Sequence, residues 1–322
     1  ICAVIGAVLS SQGGFLDALT ELAKVSDPAV SEAPGVFASF FGPDPVNLLG
    51  VVLLTSLGTW GLPQMVQKFY AIKSEKSINT GMVVSTVFAI IVAGGCYFLG
   101  GFGRLFSDKV NVAADGYDAV IPAMLSGLPD ILIAIVVILV LSASMSTLSS
   151  LVLTSSSTLT LDFLKDTVVK GMDEKRQLRW IRALIVVFIA ISVVLAIIQY
   201  RSSVTFIAQL MGVSWGALAG AFLAPFLYGL YWKKVTPVAC GINFAFSTVV
   251  MLANIGFRAH FPVLLQSPIN AGAFCMLAGL VIVPVISLIT RKPEKALVDD
   301  AFSCYEEKVL VPKRSALGDS EK

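Results

Sequence analysis

The chain has 322 residues, 56% of them hydrophobic and only 14% charged, where an ordinary soluble domain carries roughly a quarter. That leaves too little polar surface to cover a soluble core, and a formal net charge of +2 gives no nucleic-acid footprint. Five cysteines without a CxxC or Cys/His cluster, and a single His260 in a loop, exclude the usual metal and redox spacings and a His-centred catalytic group. The composition predicts an all-α integral membrane protein.

In chain order, 1–10 is apolar but too short to cross a bilayer, with no initiator Met and no basic flank. It reads as the outer end of a transmembrane helix that begins upstream, so the chain is expected to be a piece of a longer protein. Residues 11–44 form an outside loop rich in Gly, Pro and Ser, with Asp17, Glu21, Asp27, Glu32 and Asp44. Then come seven stretches free of Asp, Glu, Lys and Arg: 45–67, 77–102, 131–161, 183–200, 202–232, 235–257 and 261–290. Each reaches or nearly reaches the ~20 residues that cross a hydrocarbon core. The expectation is a membrane domain of seven helices over 45–290, followed by a mixed-charge tail, 291–322.

Basic residues set the orientation. Alternate loops carry Lys68, Lys73 and Lys76; six residues between Lys165 and Arg182; Lys233 and Lys234; and the tail, which together hold 18 of the 23 Lys and Arg. The opposite loops, including 102–127, hold Lys24, Arg104, Lys109, Arg201 and Arg258. The first set is predicted to face the cytoplasm, with the protein multi-pass in the cytoplasmic (plasma) membrane.

The stretch 45–67 is interrupted by Gly58, Gly61 and Pro63 near its middle. Proline removes a donor and clashes with the preceding turn, which frees carbonyls there. Broken helices at mid-membrane are where carriers present polar groups to solute, and Thr59, Trp60 and Gln64 are the side chains best placed to help. A packing kink without a ligand is the alternative.

The stretch 131–161 packs hydroxyls into what should be hydrocarbon: LSASMSTLSSLVLTSSSTLTLDFLK. With Asp130 and Asp162 marking the two faces, residue 146 is the midpoint. Ala143, Ser146 and Thr147 then lie near the midplane on one helical face, at i, i+3 and i+4. Two hydroxyls and a carbonyl left accessible by a small Ala side chain suit a small hard cation. Hydroxyls that bond back to the i−4 carbonyl, or let helices pack closely, are the competing explanation. In 202–232, Gly212, Gly216 and Gly220 form a GxxxGxxxG row that reads as a close helix contact, with Ser214 and Trp215 beside it as weaker site candidates.

The segment ASMSTLSSLVLTSSSTLTLDFLK resembles the most recognisable stretch of the solute:sodium symporter family, whose members carry proline, pantothenate, sugars, sialic acid or iodide. GTWGLPQMVQKFYA is similar to that family's interrupted helix opening the second repeat. The resemblance implies a LeuT-type inverted-repeat transporter fold with solute and ion between two five-helix repeats. This chain would supply the second repeat plus peripheral helices, the first repeat lying upstream. It implies a sodium site to which Ala143 gives a carbonyl and Ser146 and Thr147 give hydroxyls, and a possible second sodium site at Ser149 and Ser150.

The expected function is therefore sodium-coupled symport of a small organic solute (amino acid, carboxylate or sugar-like) by alternating access. Sodium is the coupling ion and the lipid bilayer the medium, with no enzymatic cofactor and no bond made or broken. Thr59, Trp60, Gln64 and Ser214 are the candidate solute contacts. A transporter-like sensor domain and a proton-coupled carrier of the same fold are the alternatives. No charged residue occupies the centre of a span, which counts against a proton relay.

Overall fold

The structure, a computed structural model, describes residues 1–28, 30, 31, 33–63, 65, 72, 74–111, 116–169, 171–202 and 207–305. Gln64 and the tail from residue 306 onward lie outside them. The described residues are helical apart from loops, and they fall into two compact units: Ile1–Val52 with Gln64–Met211, and Leu53–Pro63 with Gly212–Lys322.

In the first unit, α1 (Cys2–Ser11) and α2 (Phe15–Lys24) meet at a bend of 62°. Val4 and Val8 of α1 are buried with Leu99, Phe106, Met124 and Leu128. Ala18 and Leu22 of α2 are buried with Phe102, and the rings of Phe15, Phe98 and Phe102 stack against one another. Arg104 joins the loops by an ion pair to Asp27 at 2.8 Å and lies over the Phe37 ring at 4.8 Å. This packing gives these segments a core of their own.

Helix α3 (Pro45–Ser56) begins with proline at its first position, and Asp44 Oδ1 accepts from the Asn47 N–H at 2.9 Å. Helix α4 (Glu75–Ala89) is capped by Ser74 and passes through a π-helical turn, Ile90–Gly94, into α5 (Gly95–Gly101). After α6 (Val120–Leu125) comes α7 (Asp130–Thr158), which continues as a π-helix over Leu159–Val168 and packs against α8 (Glu174–Ser202). The 29 residues of α7 rise about 43 Å, more than the ~30 Å of a hydrocarbon core.

The second unit is built from α9 (Ile207–Tyr231, from Gly212 on), α10 (Pro237–Phe257), α11 (Val263–Gln266), α12 (Pro268–Ile289) and α13 (Lys295–Ala301). Two prolines inside these helices are compensated across the bundle. Pro225 has no N–H for the Ala221 carbonyl, and Asn243 Nδ2 donates to that carbonyl and to Gly220 O, both at 2.9 Å. Pro284 leaves the Leu280 carbonyl in the same position, and Tyr228 Oη donates to it at 2.8 Å. Thr236 caps α10, its Oγ1 accepting from Ala239 N–H, while its own N–H donates to Ser287 Oγ.

Among the described residues, six helices are long and apolar enough to cross a membrane: Ser77–Gly101, Asp130–Lys165, Glu174–Ile198, Leu210–Tyr231, Pro237–His260 and Pro268–Ile289. The difference from the seven expected stretches falls at 45–67. There α3 stops after 12 residues and a 3-10 turn, Gly58–Gly61, takes over. The cause is local: Pro63 disfavours the α region for the residue before it, and Leu62 is extended at φ −84° and ψ 116°.

Candidate functional site

Ala143, Ser146 and Thr147 are all exposed on α7. Two of the hydroxyls that follow, Ser149 and Ser150, behave differently from them, while Ser142 and Ser144 are uncommitted as well. Ser149 Oγ donates to the Met145 carbonyl at 2.8 Å and Ser150 Oγ to the Thr147 carbonyl at 3.0 Å, the local back-bonding common for hydroxyls in helices. The side-chain hydroxyls of Ser146 and Thr147 have no hydrogen-bond partner among the described residues. With exposed Ser142, Ser144, Ser149 and Ser150 they make a polar stretch on a helix whose earlier turns are apolar.

Further along, Ser156 and Thr160 are fully buried, an i, i+4 hydroxyl pair that the sequence reading had not separated from the rest. Ser156 Oγ donates to Val152 O at 2.7 Å, and Thr160 Oγ1 has no partner among the described residues. Small hydroxyl residues on a packed face are what close helix contacts in membranes use. The hydroxyl run therefore holds an exposed group, 142–150, and further along a buried pair, with Ser155 and Thr158 exposed on other faces of the helix.

In the second unit, the break at 58–61 has two sides. Gly58 and Gly61 are buried; a Cβ on Gly61 would stand 2.8 Å from the backbone nitrogen of Leu223 on α9, so only glycine fits. Thr59 Oγ1 donates to the Ser56 carbonyl at 2.8 Å, using one of the acceptors freed as α3 ends. Trp60 is 60% exposed. The glycines seat the break, and Thr59 and Trp60 point away from that contact.

The glycine row of α9 packs on α12. A Cβ on Gly216 would lie 2.6 Å from Gly272 Cα, one on Gly212 2.9 Å from Ile269 N, and one on Gly220 2.8 Å from Cys275 Cβ. Ser214 is exposed on the same helix, off the packed row. Among the described residues no group of three His, Cys, Asp or Glu could hold a metal ion. The oxygen donors on α7 are hydroxyls and carbonyls, a set matched to a hard monovalent ion and not to zinc, which prefers nitrogen and sulfur.

The family model described as Sodium:solute symporter family matches residues 1–240. The chain is 25% identical over 307 residues to the high-affinity proline transporter PutP of Bacillus subtilis, covering 92% of this chain and 59% of that protein. It is 27% identical over 284 residues to the sodium/proline symporter of Haemophilus influenzae, covering 83% and 53%. To the sodium/pantothenate symporter of Escherichia coli it is 24% identical over 267 residues, covering 81% and 53%. The chain spans about half the length of the curated relatives it matches. With its membrane helices and a match over most of its length, this chain belongs to the sodium:solute symporter family.

Proposed function

We propose that the complete protein is a secondary active transporter in which sodium, moving down its gradient, carries a small organic solute across the cytoplasmic membrane by alternating access. Each sodium entering down an inside-negative potential of ~100 mV releases about 2.3 kcal/mol from the potential alone. The observation that carries this reading is the exposed set Ala143, Ser146 and Thr147 at the middle of α7, one carbonyl and two hydroxyls on one helical face, the hydroxyls uncommitted where Ser149 and Ser150 bond back. Within a sodium:solute symporter, that set is a partial sodium site: one carbonyl and two hydroxyls, with the rest of the shell supplied by other helices of the complete protein.

The arrangement belongs to a LeuT-type inverted-repeat fold, with the broken segment at 58–61 presenting Thr59, Trp60 and, beyond it, Gln64 to the solute, and Ser214 of α9 contributing. Ser149 and Ser150 form a second sodium site: a hydroxyl that donates to a carbonyl still has lone pairs for a cation. The tail and the loop at 165–182 face the cytoplasm, so single cysteines at Lys175 and Asp115 label from opposite sides.

Proline and pantothenate are the solutes named for the relatives and are the first to test. In proteoliposomes of the complete protein, an imposed sodium gradient drives uptake, and replacing sodium by choline abolishes it. Uptake driven by a proton gradient without sodium contradicts the reading.

A further inference from the structure

The positive-inside bias explains the sign of the charge at the start of α8 but not its arrangement. Arg176, Arg179, Trp180 and Ala183 stand at i, i+3, i+4 and i+7 and line one open groove of about 330 Å³. Both guanidinium groups are exposed, and neither has a carboxylate within ion-pair distance among the described residues. Lys175 and Arg182 flank them, so four cations stand against the one carboxylate of Glu174 in the first turns of a helix that then carries no charge until Arg201. Below Ala183 the same stripe continues through Val187, Ala190 and Val194, all exposed. The side of α8 turned inward is a different one: Gln177, Ile181, Leu184, Ile185 and Phe188 are half-buried, on a face centred about 130° round the helix from the centre of the arginines' stripe.

From the edge of the span inward, the stripe thus offers two paired cations, an indole, a small step and an apolar track. We propose that it is a binding site for an anionic phospholipid. Arg176 and Arg179 hold the phosphate by charge-assisted hydrogen bonds, and guanidinium groups suit a tetrahedral oxyanion better than a point charge does. Trp180 sits at the interfacial level where its amphipathic ring is stable, and Ala183 leaves room for the glycerol to turn. One acyl chain then lies along Val187, Ala190 and Val194. Charge complementarity selects the occupant: a zwitterionic lipid brings its own cation to a site already holding four.

The complete protein is purified from a membrane of mixed phosphatidylglycerol and phosphatidylcholine, and retained lipids are weighed by native mass spectrometry. Wild type retains phosphatidylglycerol over phosphatidylcholine, and R176Q/R179Q loses roughly tenfold or more of that preference, the scale of two interfacial basic residues. R176K/R179K, which keeps the charge, retains part of it. A second measurement needs no arginine variant. In proteoliposomes, the fluorescence that W180F removes from the wild-type signal is quenched by brominated phosphatidylglycerol more than by brominated phosphatidylcholine. Equal retention by wild type and R176Q/R179Q overturns the proposal. So does equal quenching by the two brominated lipids, and so does no quenching by either, which would mean that protein covers the stripe.

Discussion

The middle of α7 and the bundle of α9, α10 and α12 draw on the same small and polar residues. On α7, Ser146 and Thr147 are at the surface, and their hydroxyls have no hydrogen bond among the described residues. In the bundle, Gly216 lies against Gly272, Asn243 spans to two carbonyls of α9, and Thr236 both caps its helix and shares a 2.7 Å hydrogen bond with Thr290. Composition does not separate the two regions; what each side chain meets does. A small residue facing another backbone is packing, and a hydroxyl that donates to a carbonyl keeps only its lone pairs for a ligand. A hydroxyl committed to neither is available for a ligand.

The comparison breaks most sharply where backbone meets backbone. Gly216→Val places a side chain where Gly272 Cα cannot move aside, and it should destabilise the bundle by about 3 kcal/mol or more. Thermal unfolding in detergent measures this; a variant as stable as wild type would mean that α9 and α12 are not in contact there. Asn243→Ala comes next. It leaves the Ala221 carbonyl opposite Pro225 without a donor and should cost about 1–2 kcal/mol in the same assay, with Tyr228→Phe nearer ~0.6 kcal/mol. A neutral Asn243→Ala would show that another group fills the gap.

The smallest effect on stability belongs to α7. Ser149→Ala and Ser150→Ala each remove an exposed back-bond and should change thermal stability by less than about 0.5 kcal/mol. A large loss at either position would place these hydroxyls in packing and bring the two regions together.

Much of this was legible before any coordinates. Charge-free runs marked the membrane helices, because a charge in hydrocarbon is costly enough to be rare. Gly58, Gly61 and Pro63 marked the end of α3, and the spacing of 143, 146 and 147 put them on one face. What stayed hidden depends on contacts between elements distant in sequence. The glycine row of α9 announced a close approach but not its partners, Gly272 and Cys275. Pro225 and Pro284 announced orphaned carbonyls but not that Asn243 and Tyr228 would reach them. Within the hydroxyl run, neither the back-bonding of Ser149 and Ser150 nor the burial of Ser156 and Thr160 is written in residue type. The first depends on side-chain rotamers and the second on which face meets α8.

The central claim is that the uncommitted hydroxyls of α7 ligate sodium, and it is tested most directly by the sodium dependence of uptake in the complete protein. Ser146→Ala and Thr147→Ala each remove one oxygen from a partly dehydrated cation, and roughly 1–3 kcal/mol is typical of a lost polar partner. The sodium concentration for half-maximal uptake should therefore rise about fivefold to 150-fold. Ala143→Gly, which keeps the carbonyl, should be milder, and Ser144→Ala, about 160° round the helix from Ser146 and about 60° from Thr147, should change it least. Unaltered sodium dependence in both hydroxyl variants, with normal expression, would contradict the account.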